Sequence, residues 1–71
     1  MEEIIINSEF IKLDAFLKFS SLVGSGGEAK FVIQENMVSV NGETCTQRGK
    51  KIFNGDIVEF NGQKIKVIHE S

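Results

Sequence analysis

The apolar residues of the chain change period once. From Ile11 to Asn36 they recur at helical spacing, and from Met37 onward they alternate with polar residues. Leu13, Phe16 and Leu17, followed by Ser20 or Ser21, give the i, i+3, i+4 stripe of one helical face. Gly24 is the predicted stop of that helix, as the left-handed cap that a residue without Cβ adopts cheaply. Ser25-Gly26-Gly27-Glu28 then fits a capping box, in which the hydroxyl and the carboxylate satisfy free amides at a helix start. Ala29, Val32 and Ile33 supply the buried face of this second helix, and Asn36 its C-terminal cap. Two helices of about ten residues, joined by two or three residues, must be neighbours crossing at a steep angle. Neither is stable alone in water, so each depends on packing.

The second half reads as short strands separated by Asn-Gly. Val38-Ser39-Val40 leads into Asn41-Gly42 and Glu43 to Thr46 leads out, with Cys45 inside that outgoing strand. Ile57 to Phe60 leads into Asn61-Gly62, and Gln63 to Ile68 leads out. Both central positions of a type I′ turn need positive φ, which makes Asn-Gly between alternating segments a hairpin signal. Asn54-Gly55, ahead of Asp56, reads as a looser turn. Ile4 to Ile6 is a further strand, at an edge or beside the C-terminal strand. The pattern predicts an α+β fold in a single domain spanning residues 1–71, without repeats or linkers.

Composition narrows the classes. Leu, Ile, Val and Phe make up 24 of 71 residues, enough for a folded core rather than disorder. One cysteine excludes an internal disulfide, and one cysteine with one histidine cannot build a structural zinc site, so no metal or cofactor is expected. Met1-Glu2-Glu3 carries acid where a secretory signal carries base, and Ile4-Ile5-Ile6 is too short for a membrane span. The expected compartment is the reducing cytoplasm, with no membrane partner.

The net charge of −2 argues against a nucleic-acid partner only if the charges are mixed. They are not. Glu2, Glu3 and Glu9 put −3 in the first nine residues, whereas Gln47-Arg48-Gly49-Lys50-Lys51 puts +3 in five. Lys12 and Lys18 lie on the first helix, and Lys30 on the exposed side of the second. A phosphate backbone responds to the local patch. The plain reading of Arg48 to Lys51 is a solvated, solubilising turn. The functional reading is a phosphate-binding loop, in which Gly49 lets the backbone approach and Arg48 supplies a bidentate fork. Gly26 and Gly27 carry the same two readings, a tight interhelical turn or free amides that receive a phosphate.

No catalytic constellation stands out. Cys45 and His69 form a nucleophile–base pair only if the fold brings them within hydrogen-bond reach, which nothing in the sequence requires. Glu28 is explained by capping and Asp56 by a turn. Gly24-Ser25-Gly26-Gly27 lacks the Gly-Lys-Ser/Thr of a phosphate-binding loop of NTPases. Core packing is the expectation for most of the six phenylalanines; Phe16 and Phe60 fit it, while spacing leaves Phe10, Phe19 and Phe31 open.

Lys12-Leu13-Asp14 with Leu17, Ser25, Ala29, Val32-Ile33, then Val38-Ser39-Val40-Asn41-Gly42 and Asn54-Gly55-Asp56-Ile57-Val58, resembles the S4-type RNA-binding domain. That module is named after the fourth small-subunit ribosomal protein. The match runs over Lys12 to Val58, about two-thirds of the chain, without large insertions. Ser25-Gly26-Gly27-Glu28-Ala29-Lys30 and Arg48-Gly49-Lys50-Lys51 are similar to a small stand-alone bacterial branch. The resemblance implies an αL architecture, two crossing helices packed on a small bent antiparallel sheet, with an N-terminal strand besides. It also implies a non-catalytic protein that binds structured RNA, ribosomal or transfer, through the helices and the loop after the Val-Asn-Gly hairpin. Lys12 matches the basic residue opening the first helix, Ser25 the serine opening the second, and Lys30 a commonly basic position. Gly26 departs from the pattern, since most members carry arginine there. Lys12, Lys18, Ser25, Gly26, Gly27, Lys30, Arg48, Lys50 and Lys51 are the candidate RNA-binding residues. The alternative is a protein-interaction adaptor, ribosome-associated or otherwise, that docks a protein partner through its acidic N-terminal segment. A β-grasp carrier is disfavoured, because Ile68-His69-Glu70-Ser71 lacks the C-terminal Gly-Gly of such carriers.

Overall fold

Alternation and helical spacing sort most of the chain into elements in the computed structural model, which describes residues 1–70 and leaves Ser71 outside. The order is β1 (Glu2–Ile6), β2 (Phe10–Lys12), α1 (Leu13–Phe19), α2 (Gly26–Gln34), β3 (Val38–Val40), β4 (Glu43–Thr44), β5 (Lys51–Phe53), β6 (Ile57–Phe60) and β7 (Gln63–His69). The larger sheet runs β1-β7-β6-β3-β4, and β2 pairs with β5 in a separate ribbon.

Two expectations about the sheet are corrected. It is mixed rather than antiparallel, because β1 lies parallel to β7, with Ile4 opposite Val67 and Ile6 opposite His69. Phe10 to Lys12 is a strand rather than the start of a helix, antiparallel to Lys51–Phe53. Neither pairing is local, so helical spacing counted from Ile11 swept part of β2 into α1. Cys45 also falls outside its expected strand, since β4 ends at Thr44.

The Asn-Gly turns form as expected. Asn41 and Gly42 have φ of 53° and 86°, and Asn61 and Gly62 have 55° and 81°, the two positive values of a type I′ turn. At Asn54-Gly55 only the glycine is positive, at 91°. The Asn41-Gly42 and Asn54-Gly55-Asp56 turns are joined through side chains. Asn41 Oδ1 accepts from Ile57 N–H at 2.9 Å, and Asn41 Nδ2 donates to Asp56 Oδ1 at 3.0 Å. Asp56 Oδ2 accepts from Phe53 N–H at 2.8 Å. These groups hold β5, β6 and the β3–β4 hairpin in register, a structural role for the Asn41-Gly42 and Asn54-Gly55-Asp56 motifs.

The helices are shorter than expected, at 7 and 9 residues, and both end in the same way. In α1, Leu22 N–H donates to Leu17 O and Ser21 N–H to Lys18 O; in α2, Met37 N–H donates to Val32 O and Asn36 N–H to Ile33 O. This is the Schellman closure, with a left-handed residue at its centre. Asn36 fills that position in α2 as expected, at φ 62°, but in α1 it is Ser21, at φ 63°, and not Gly24. At helical spacing Leu22 would point away from the stripe of Leu13, Phe16 and Leu17. Ending the helix early brings Leu22 against the core and buries Val23. The segment from Ser20 to Ser25 therefore joins the helices, longer than expected.

Leu13, Phe16 and Leu17 of α1 and Ala29, Val32 and Ile33 of α2 share one core with Val38, Ile52, Val58, Ile65 and Val67. Core packing, the expectation for most of the phenylalanines, holds for the two that fit it by spacing. Phe16 and Phe60 are buried, Phe10 is half-buried, and Phe19, Phe31 and Phe53 are exposed.

A serine in the left-handed region costs about 1–2 kcal/mol, part of which glycine returns as chain entropy. Ser21→Gly is therefore expected to stabilise the protein by about 0.5–1 kcal/mol, raising the thermal midpoint by several degrees. A lowered midpoint in a calorimetric scan would contradict this account of the α1 terminus.

Candidate nucleic-acid interface

Helix α1 begins at a lysine, whose side chain cannot accept a bond from the free amides of the first turn; Lys12 makes no side-chain cap. The basic segment does this work with its backbone. Leu13 N–H donates to Lys50 O at 2.9 Å and Asp14 N–H to Arg48 O at 3.2 Å. A further turn, Lys50 N–H to Gln47 O at 3.2 Å, shapes the segment itself. The backbone of Arg48–Lys50 is thus fixed against the start of α1, while the side chains of Arg48, Lys50 and Lys51 remain exposed.

The ribbon adds to this patch. Lys12 and Lys51 are direct partners across β2 and β5, and so share its outward face. Like charges opposed in this way destabilise a strand pair. Among the described residues no lysine or arginine side chain enters a hydrogen bond. Asp14, the acid next along the chain, turns its Oδ1 to the Ala15 amide at 2.8 Å. Lys12, Arg48, Lys50 and Lys51 therefore form one cationic patch. A polar groove of about 360 Å³ lies beside it, lined by Asn41, Thr44, Thr46, Gln47 and Lys50 among others.

The other candidates gather at the far end of α1. Ser25 caps α2 as expected, accepting from Glu28 N–H at 3.2 Å, but the Glu28 carboxylate bonds Gly24 N–H at 2.9 Å rather than Ser25. Lys18, in the last turn of α1, reaches across the helix pair. Its Nζ lies 3.9 Å from where a Cβ on Gly26 would project. The Lys18 ammonium thus stands beside the start of α2. Lys30 follows Gly26 and Gly27 by four and three residues, which places all three on one helical face. The nine candidates form two groups, at opposite ends of α1.

Two aromatic residues gain a place that spacing does not give them. Phe10 and Phe53 are cross-strand partners two positions from Lys12 and Lys51, and flank the cationic patch. The signal was present, because Phe10-Ile11-Lys12 and Lys51-Ile52-Phe53 are mirror images that antiparallel pairing superposes. The acidic end is less isolated than its sequence implied, because Glu3 sits beside Lys66 across β1 and β7. Cys45 and His69 are separated by β6 and β3, which at about 4.8 Å per strand puts them well beyond contact. No helix among the described residues is long and apolar enough to cross a membrane.

A family model described as an S4 domain matches residues 4–68. The chain belongs to the S4 domain family. Among its relatives, a probable ribosome maturation protein, RlbA of Bacillus subtilis, is 44% identical over 57 residues, covering 80% of each chain. The putative RNA-binding protein YbcJ of Escherichia coli is 34% identical over 58 residues, covering 82% of this chain and 83% of YbcJ. The solution structure of E. coli YbcJ, described as revealing an αL motif involved in RNA binding, superposes with a TM-score of 0.73 at 30% identity. That match covers 96% of this chain and 87% of the YbcJ chain. The 30S ribosomal protein S4e of Thermoplasma acidophilum shares the fold, with a TM-score of 0.68 at 20% identity over 90% of this chain and 34% of S4e. The S4 domain here is thus an α+β, αL-type fold with two helices and a mixed sheet.

Replacing one of the opposed lysines tests the electrostatics of the patch. Lys12→Glu turns a repelling cross-strand pair into an attracting one and places an acid at the start of α1. It is expected to raise stability by about 0.5–1 kcal/mol in denaturant titration. Destabilisation would show that the repulsion between Lys12 and Lys51 is unimportant.

Proposed function

We propose that this protein is a non-catalytic RNA-binding protein of the cytoplasm that recognises structured RNA and acts in ribosome maturation, with ribosomal RNA as its target. One observation carries the reading: Lys12 and Lys51 stand opposed beside Arg48 and Lys50, and among the described residues no carboxylate hydrogen-bonds any of them. Folding stability disfavours such an arrangement, whereas a polyanion relieves it. Lys18 and Lys30, beside the exposed start of α2, extend the phosphate-binding surface, with Ser25, Gly26 and Gly27 lending backbone amides. The ribosome-maturation assignment rests on the name carried by the B. subtilis relative at 44% identity. Recognition by phosphate positions alone follows shape more than sequence.

The test is fluorescence anisotropy with a labelled, folded fragment of ribosomal RNA. Six phosphate contacts predict a log–log salt slope of about −5, so affinity falls about a thousandfold between 50 and 200 mM salt. Replacing Arg48, Lys50 and Lys51 together by alanine reduces that slope by about 3. The fold survives these changes, because the α1 cap uses backbone carbonyls. Binding that is absent, insensitive to salt, or unaffected by the triple replacement would refute the proposal.

A protein partner is the second reading. It is favoured by a groove of about 300 Å³ lined by Ile5, Ile6, Ile11 and Phe19 among others, beside the acidic strand β1. A partner retained after nuclease treatment, and lost on Phe19→Ser, supports it.

A further inference from the structure

The β2–β5 ribbon has one face in the core and one in solvent. Ile52 is completely buried and its partner Ile11 packs against the core, whereas Phe10, Lys12, Lys51 and Phe53 project from the other side. An outward ribbon face of two aromatics and two lysines leaves apolar surface in water and sets like charges against each other. Phe53 keeps 42% of its surface in water, and the two lysines repel. Other exposed phenylalanines, Phe19 and Phe31, sit on helices; only Phe53 belongs to a strand whose same face carries cations.

The internal arrangement of the four side chains is ordered. Lys51 Nζ lies 4.8 Å from the centre of the Phe10 ring, a cation–π contact that holds the ammonium between ribbon and solvent. The Phe10 and Phe53 rings are 5.8 Å apart and inclined at 49°. Phe10 is thus engaged by Lys51 and braces Phe53 from the side, which leaves Phe53 as the aromatic with free surface. Residues two apart on a strand are separated by about 6.6 Å. A base stacked on Phe53 therefore has its own phosphate within reach of Lys51 and Lys12.

We propose that the outward face of the β2–β5 ribbon is a stacking platform for one unpaired base of the bound RNA, with Phe53 as the stacking surface. The proposal rests on the RNA-binding reading and deepens it. The occupant is defined by the chemistry of the face: a flat π-system carrying a negative charge, which a nucleotide supplies. The ribbon strands offer ring faces and two ammonium groups but no amide or guanidinium fork that reads a base edge, so any of the four bases is accepted. A fully paired duplex is not, because its bases are already stacked on both sides. The platform thus selects bulged or looped RNA over continuous helix, an element of recognition the cationic patch cannot provide.

The test compares two RNAs of equal charge per nucleotide, a blunt duplex and the same duplex with a two-nucleotide bulge. The chain has no tryptophan or tyrosine, so Phe53→Trp introduces a single indole as reporter. Its emission is expected to be quenched by the bulged RNA and not by the duplex. Phe53→Ala is expected to lower affinity for the bulged RNA about tenfold or more, leave duplex affinity unchanged, and leave the salt slope unchanged because no charge is removed. Circular dichroism of both variants checks that they fold. An unquenched indole together with wild-type affinity of Phe53→Ala for the bulged RNA overturns the platform, while salt-dependent binding by the wild-type chain leaves the RNA-binding proposal standing. Failure of the wild-type chain to bind either RNA overturns both.

Discussion

Two backbone hydrogen bonds organise this molecule: those from the amides of Leu13 and Asp14 to the carbonyls of Lys50 and Arg48. A helix that starts at lysine has no side chain to satisfy its first amides, and an unsatisfied buried amide is costly. The chain solves this with a segment nearly forty positions away in sequence. The consequence is that helix, ribbon and basic segment cannot be placed independently. With Leu13 packed into the core and Ile52 buried beneath the ribbon, the carbonyls must point inward and the cationic side chains outward. The charges are displayed because the backbone behind them is in use.

That arrangement explains how a chain of net charge −2 presents a basic surface. Its acids are employed elsewhere. Glu28 closes the start of α2, Asp56 braces the turn before β6, and Glu3 and Glu59 stand beside lysines of β7. What remains unopposed is the cluster around Lys12 and Lys51. Asp14, Glu28 and Asp56 spend their carboxylates on backbone amides, and among the described residues no hydrogen bond joins a carboxylate to the cations at the α1 start.

Legibility in the sequence followed the range of the interaction. The Asn-Gly turns, the Ser25 cap and the Asn36 terminus were readable because each is decided within a few residues. The placing of the α1 terminus at Ser21 instead of Gly24 was not, since it depends on Leu22 and Val23 reaching a core that spacing alone does not describe. The parallel pairing of β1 with β7 and the pairing of β2 with β5 join distant segments, and helical periodicity at Ile11 masked the second. The candidate cations were legible as residue types, but their division between two ends of α1 was not. Spacing leaves Phe10 open and assigns Phe53 to the core by default, and only the ribbon register turns these two outward.

The parallel strand at the sheet edge carries a cost in time. Residues 2–6 bring an apolar run, Ile4 to Ile6, whose only sheet partner is residues 65–69. Every other element lies between them in the chain, so β1 has no sheet partner until β7 is in place. Parallel closure across so long a stretch of chain is entropically slow, and an unpaired apolar strand is a template for self-association. The two glutamates at the head of β1, Glu2 and Glu3, then act as gatekeepers. Their repulsion between copies protects the strand during the interval before β7 arrives, a role in folding that is independent of anything the finished surface binds.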